Sequence, residues 1–304
     1  MTATSTFYAN GKLLLSGEYF VLHGAKALAL PLNAGQQLTV REGLHTGLLQ
    51  WKALYDEKVW FECVLDPVDF KVVSTSDEDK ASTLSLVFNT IGKLNSSFQP
   101  KPGTDFVTRL DADPQWGFGS SSTLISLLSQ WAGVDAFHLN ELIFNGSGFD
   151  IACAQANGPI LYQKNQPVQP ATLDYPFADK LYLVYSGTKK STLPEVRSFL
   201  ENNKVTDGMI DQMSALSEAF ALCRDQFTFH RLICQHETMV GDLIGQMPVK
   251  QSLFMDFEGE VKSLGAWGGD YYLFSSLTSD TDTKKYFENK GLNVIFRWTE
   301  LIKS

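Results

Sequence analysis

The chain has 304 residues, enough for two lobes or one large domain. Hydrophobic residues make up 44% and charged residues 19%, the composition of an ordinary globular protein. With 25 Lys and Arg against 34 Asp and Glu the net charge is −9, which argues against a nucleic-acid partner but leaves room for an anionic substrate in a local field.

The four cysteines, Cys63, Cys153, Cys223 and Cys234, form no C-x-x-C pair, so neither a zinc ribbon nor a thioredoxin-like site is indicated. Such sparse usage fits reduced thiols and a cytoplasmic setting. Residues 1–6 show no leader pattern, and the early apolar stretch 13–32 is broken by Glu18, His23 and Lys26. No membrane partner is expected.

In chain order, Leu13-Leu14-Leu15 and Tyr19-Phe20-Val21-Leu22 predict two adjacent buried strands. Residues 37–41, 48–51 and 58–64 predict further strands of a half-exposed antiparallel sheet. Acidic Asp77-Glu78-Asp79 opens a helix over 80–94, with Leu84, Val87, Ile91 and Leu94 on one face. A strand at 106–110 precedes a turn-rich loop over 111–119. Leu124, Leu127, Leu128 and Trp131 then mark an amphipathic helix. Helices follow at 137–144 and from Ser147 to the Asn157-Gly158-Pro159 stop. The Pro- and Gln-rich segment 165–176 suggests a boundary, giving lobes 1–168 and 169–304. The second lobe reads as a strand at 181–185, three helical stretches to 247, strands at 261–264 and 271–274, a helix at 283–289 and a strand at 293–297. The class is α+β.

Several familiar sites are absent: there is no P-loop, no H-E-x-x-H and no G-x-S-x-G. Gly117-Phe118-Gly119 lacks the third glycine of a dinucleotide fingerprint, and His236-Glu237 lacks a second histidine.

Four segments carry chemistry. Gly117-Phe118-Gly119-Ser120-Ser121-Ser122 leads straight into a helix, where open N–H groups and hydroxyls suit a phosphate; equally, a serine there could simply N-cap the helix. Gly146-Ser147-Gly148-Phe149-Asp150 presents an aspartate able to orient or deprotonate an attacking hydroxyl. Ser147-x-x-Asp150 also matches a capping box. Lys12, in Gly11-Lys12-Leu13-Leu14-Leu15-Ser16-Gly17-Glu18, could neutralise an anionic substrate or stand in solvent. Gly265-Ala266-Trp267-Gly268-Gly269-Asp270 lies between apolar runs and could be a hairpin turn.

Together and in this order, the four segments resemble the GHMP kinases. Residues 11–24 resemble the family's G-K-x-x-x-x-G-E motif, 114–122 its P-x-x-x-G-L-G-S-S motif and 265–270 its G-A-G-x-G-G turn. The resemblance implies a two-lobed α+β fold, with a left-handed βαβ unit in the N-terminal lobe and a ferredoxin-like C-terminal lobe. The active site would lie in the cleft between them. It implies ATP and Mg²⁺ as cofactors, and a small-molecule substrate handled by a monomer or homodimer. Asp150 and Lys12 match the catalytic pair. Gly117, Gly119, Ser120, Ser121, Ser122, Gly265, Gly268 and Gly269 match the residues around the ATP phosphates. Ser120, Ser121 and the offset Glu141 are the metal candidates. Glu18, His23, Lys189, Lys190, Thr192 and Arg197 are the substrate-binding candidates. Details such as Tyr19 after Glu18, Phe149 before Asp150 and Asp270 closing the glycine turn lean toward phosphomevalonate as acceptor, with mevalonate the alternative. Phe118 and Ser122-Thr123 are mild departures from the family pattern; Trp267 in the glycine turn and only thirty positions from Ser120 to Asp150 are larger ones. The two larger departures motivate a rival reading, a non-catalytic relative that binds nucleotide or metabolite.

Overall fold

A computed structural model of the chain describes residues 4–43, 47–187, 205–265 and 270–304. The chain separates into two compact units, each assembled from discontinuous segments rather than cut once at residue 168. Unit 1 comprises Met1–Gly11, Ala34–Pro114 and Phe118–Gln155; unit 2 comprises Lys12–Asn33, Gln115–Gly117 and Ala156–Ser304. Two long strands explain the interleaving. β1 (Thr4–Ser16) pairs β2 (Ala27–Arg41), and each begins in one unit and ends in the other. The mixed α+β class is as the sequence indicates.

In unit 1, β3 (Leu49–Tyr55), β4 (Lys58–Leu65), β5 (Val72–Thr75) and β6 (Asp105–Leu110) join the second half of β2 in the order β5-β4-β3-β6-β2. β6 runs antiparallel to β2, Gln36 opposite Leu110, and parallel to β3, Gln50 opposite Asp105. Four helices belong to this unit: α1 (Glu78–Leu94), α2 (Ser120–Ala132), α3 (Ala136–Phe144) and α4 (Phe149–Gln155). Asp77 caps α1 by accepting from Lys80 N, and Leu84, Val87 and Ile91 are buried as their spacing requires. Leu127 and Leu128 of α2 enter the same core. Its centre is aromatic: Phe106 stacks on Trp51 with centroids 5.6 Å apart and meets Trp131 edge-on at 4.9 Å.

In unit 2, β9 (Leu181–Tyr185), β10 (Gly259–Leu264), β11 (Tyr271–Ser276) and β12 (Ile295–Arg297) form an antiparallel sheet in the order β10-β11-β9-β12. Helices α5 (Asp207–Leu222) and α6 (Gln226–Ile244) lie between β9 and β10 in sequence. A short α7 (Val249–Ser252) follows α6, and α8 (Asp280–Asn289) connects β11 to β12. This is the split βαβ connectivity of a ferredoxin-like unit. The first half of β2 pairs β7 (Ile160–Tyr162), which pairs β8 (Gln169–Pro170).

Two local expectations fail. Residues 19–22 are not a strand: Phe20–His23 is a 3-10 helix, entered through Gly17 at φ 100° and Tyr19 at φ 63°. A four-residue apolar run has no periodicity that separates buried helix from buried strand. Conversely, β2 starts ten residues before Gln37, through Ala, Leu, Pro and Gly positions whose strand preference is weak. Among the described residues, no helix is long and apolar enough to cross a membrane.

The aromatic centre gives a direct stability expectation. Phe106 is 1% exposed, so Phe106→Ala should cost about 3–5 kcal/mol. Equilibrium urea unfolding followed by tryptophan fluorescence measures it; a loss under about 1 kcal/mol would mean the ring is not central to this core.

Candidate functional site

Helix α2 starts differently from the other well-capped helices. Asp77, Asp135, Thr206, Asp225 and Ser279 each cap a helix with a side-chain oxygen. At α2 the N-cap is Gly119, at φ 90° and ψ 41°, and no side chain caps the first turn. The serines are therefore inside the helix, which removes the alternative that one of them is the cap. The first-turn N–H groups keep their partial positive charge for something outside the chain.

The start of the helix is fixed from the protein side. Thr123 Oγ1 donates to Gln36 Oε1 at 2.6 Å, tying α2 to β2, and Thr123 N donates to Gly119 O at 3.0 Å. Ser121 is exposed and Ser120 half-buried, so both hydroxyls sit at or near the surface. Ser122 does not match its expected role: it is 3% exposed and its hydroxyl turns back to Gly119 O at 2.8 Å.

Beside this turn is a cavity of about 20 Å³ lined by Gly11, Gly35, Asp113, Pro114, Phe118 and Ser120, among others. Asp111 sets the entry of the loop that forms it. Its Oδ2 accepts from Tyr8 Oη at 2.7 Å and from Gly35 N at 2.9 Å, while its own N–H donates to Gly35 O at 3.0 Å. Gly35 has to be glycine, since a Cβ there would lie 2.2 Å from Ala9 O. Burial, then the Asp111 carboxylate, pushes the Tyr8 phenol upward, so it stays a donor.

Asp150 sits in the first turn of α4 and is half-buried. Because α4 starts at Phe149, Ser147 stands too early to be its N-cap, and the capping-box reading fails. Asn10 Nδ2 holds the other end of α4 through Cys153 O at 3.3 Å and Ala154 O at 3.4 Å. Glu141 is exposed on α3, and among the described residues no group of three or more His, Cys, Asp or Glu side chains could hold a metal. A Mg²⁺ carried by nucleotide phosphates needs only one or two protein ligands, which Ser120 or Ser121 can supply.

Unit 2 holds the rest of the described candidates. Lys12 is half-buried in β1, and His23 is exposed at the end of the 3-10 helix. Gly117 and Gly265 have positive φ, and both face the Asp270 carboxylate: a Cβ on Gly117 would lie 3.1 Å from its Cγ, one on Gly265 3.5 Å from Oδ2. Within this unit both glycines make room for a buried carboxylate. Trp267, Gly268, Gly269, Lys189, Lys190, Thr192 and Arg197 lie outside the described residues.

Glu18 also departs from its expected substrate-binding role. It is 4% exposed, with Oε1 2.6 Å from Lys262 Nζ and Oε2 2.7 Å from His236 Nε2. Burial pushes its carboxyl upward, but the Lys262 charge and the His236 contact outweigh this and hold it below the usual range. Burial and Lys262 lower His236, whose Nε2 lies 2.7 Å from Glu18 Oε2 and accepts from Gly17 N at 3.4 Å. Glu237 lies beside them; its carboxylate accepts from Ser263 N at 3.1 Å and Val249 N at 3.4 Å, and burial pushes it up to about 7. The sequence hid this cluster. Lys262 falls in the strand read at 261–264 without a motif to single it out, and His236-Glu237 draws attention only as a broken zinc motif.

No protein-family model matches the chain, and no curated protein does. Solved structures do. The Methanococcus jannaschii mevalonate kinase is 14% identical with a TM-score of 0.71, covering 97% of each chain. The Streptococcus pneumoniae phosphomevalonate kinase in complex with phosphomevalonate and AMPPNP is 16% identical at TM-score 0.68, covering 97% of this chain and 99% of that one. A Lactococcus lactis galactokinase complexed with galactose is 13% identical at TM-score 0.65, covering 99% and 93%. The chain has the fold of these kinases over nearly its whole length.

Glu237 makes the stability of the protein depend on pH. A carboxyl raised to about 7 when folded binds its proton more tightly folded than unfolded, so its contribution is complete below the unfolded value of 4.5 and fades as pH rises through 7. From pH 5 to pH 8, Glu237→Gln should therefore gain about 3 kcal/mol relative to wild type. Urea unfolding of both proteins across that range measures it. His236 acts in the opposite sense and is common to both proteins, so a flat difference would rule out the raised carboxyl.

Proposed function

We propose that the chain is a GHMP-type small-molecule kinase using ATP and Mg²⁺. The observation that carries this reading is the glycine-capped start of α2, a helix N-terminus left without a side-chain cap in a chain with the fold of known kinases. Phosphoryl transfer asks the protein for placement and charge rather than covalent chemistry. Gly119, Ser120 and Ser121 supply N–H and hydroxyl donors for the nucleotide phosphates. A Mg²⁺ bound with the nucleotide would offset their charge, and the hydroxyl of Ser120 or Ser121 and the carboxylate of Glu141 are the residues that would hold it. Asp150 orients the acceptor oxygen, a phosphate oxygen in a phosphorylated acceptor or a hydroxyl in an alcohol, and takes its proton where it carries one; Lys12 supplies positive charge beside it, and both roles come from the motif resemblance. Gly268 and Gly269 keep their place in the nucleotide site on the same ground.

The acceptor we favour is phosphomevalonate, an anionic intermediate of the mevalonate pathway. Tyr19, Phe149 and Asp270 in their motifs support it, and so does the likeness to a phosphomevalonate kinase. The extra phosphate needs cations in a chain of net charge −9. Lys189, Lys190 and Arg197 are the nominees, with Thr192 as a neutral donor.

Three measurements test the reading. A coupled ADP-release assay over a panel of small alcohols and phosphates should give phosphomevalonate the highest kcat/KM, with mevalonate poorer. Mevalonate turnover without phosphomevalonate turnover would reverse that choice, while Mg-ATP binding by calorimetry without any turnover would favour the non-catalytic relative. Asp150→Asn should lower kcat by about 10²–10⁴ with an unchanged melting temperature. Replacing Lys189, Lys190 or Arg197 by Met should cost roughly 10- to 150-fold in kcat/KM for phosphomevalonate and less for mevalonate.

A further inference from the structure

Glu18 occupies an unusual place in the backbone. It stands between Gly17 at φ 100° and Tyr19 at φ 63°, where β1 has just ended. Gly17 is forced to be glycine, since a Cβ there would lie 2.6 Å from Ala27 Cβ. Tyr19 has no such freedom, and an L-residue at positive φ persists only where its surroundings hold it.

What holds this turn comes from far along the chain. Lys262 of β10 and His236 of α6 take one carboxylate oxygen of Glu18 each, at 2.6 and 2.7 Å. Both partners are fully buried. Lys262 Nζ is itself located by Ser263 O at 2.8 Å. One residue earlier, the Ser16 hydroxyl meets Ser217 Oγ of α5 at 2.7 Å, and Ser217 Oγ donates to Lys26 O at 2.8 Å on the far side of the turn. Gly17 N approaches His236 Nε2 at 3.4 Å. Three elements thus grip residues 16–18. Between that grip and Lys12 lie only Leu13, Leu14 and Leu15, all buried.

We propose that Lys262 and His236 are positioning residues that clamp Glu18 and thereby fix the end of β1, and with it the reach of Lys12. This rests on the reading that Lys12 works beside the reacting oxygen of the acceptor. The clamp itself is a separate physical claim, and it can be measured without turnover. A core filler would be replaceable by any well-packed apolar pair. A clamp would not, because the apolar pair leaves the turn without its polar anchor.

The test compares wild type with the double variant E18Q/K262M, which removes both charges together and strands neither. K262R is the conservative control, and E18D keeps both charges while shortening the reach should the double variant not fold. Amide hydrogen exchange over residues 13–24 should lose protection by about tenfold or more in the double variant, with α2 unchanged. In the same variant kcat should fall about 10- to 100-fold with the KM for ATP within about threefold. K262R should recover most of both losses, and E18D should show the same split to a smaller degree. Unchanged protection in the double variant, or in E18D if the double variant does not fold, overturns the clamp. Lost protection with kcat within about twofold of wild type overturns its link to Lys12. If wild type turns over no acceptor, the kinase reading fails together with that link, and hydrogen exchange alone decides the clamp.

Discussion

Glu18 carries a negative charge to a place that water does not reach, and much of unit 2 is arranged around making that tolerable. A lone carboxylate there would take up a proton; Lys262 and His236 prevent it by meeting one oxygen each. Removing Lys262 alone would strand the Glu18 carboxylate, at a cost of about 3–5 kcal/mol, whereas an apolar replacement of the whole group can be nearly neutral. The arrangement thus has little to offer as bulk stabilisation. Its distinctive property is geometric, since a carboxylate held from two sides has one position and an apolar side chain has many.

Unit 1 solves the opposite problem. The start of α2 has charge to give away, in N–H groups that no side chain caps, and the surrounding chain braces the helix without satisfying them. Thr123 and Gln36 tie it to β2, Asp111 sets the preceding loop against Gly35, and Ser122 turns inward. Thr123, Gln36 and Ser122, which brace the turn from inside, are buried, while Asp111 on the outer side, Ser121 and the half-buried Ser120 reach the surface. A rigid frame around unspent hydrogen-bond donors is the form that electrostatic preorganisation takes in a phosphate site.

The sequence made the periodic parts legible. α1 and α2 follow from their apolar spacing, and β9 and β4 from short runs between turn residues, because burial of one face imposes a period. The four glycine-containing segments pointed to the fold, since close backbone approach admits few other residues. What escaped was set by partners distant in sequence. Phe20–His23 is a 3-10 helix entered through two residues at positive φ, and nothing in its own composition sets it apart from a buried strand. Glu18 looked available for a substrate because Lys262, 244 positions away, is invisible from the motif. That Gly117 and Gly265 also accommodate the Asp270 carboxylate was equally hidden, because Asp270 reads as the end of a turn.

That separation has a consequence for how the chain is made. Residues 12–33 leave the ribosome early, yet the unit they belong to is completed only by residues 156–304. At about 5–20 residues per second, Glu18 waits roughly 10–50 s for Lys262 to be synthesised. Throughout that interval the carboxylate cannot be buried with its cation, so the turn after β1 stays open to solvent while unit 1 has its full complement of residues by Gln155. Folding is therefore sequential by construction: helix α2 can form on the nascent chain, and residues 12–33 are among the last to find their place.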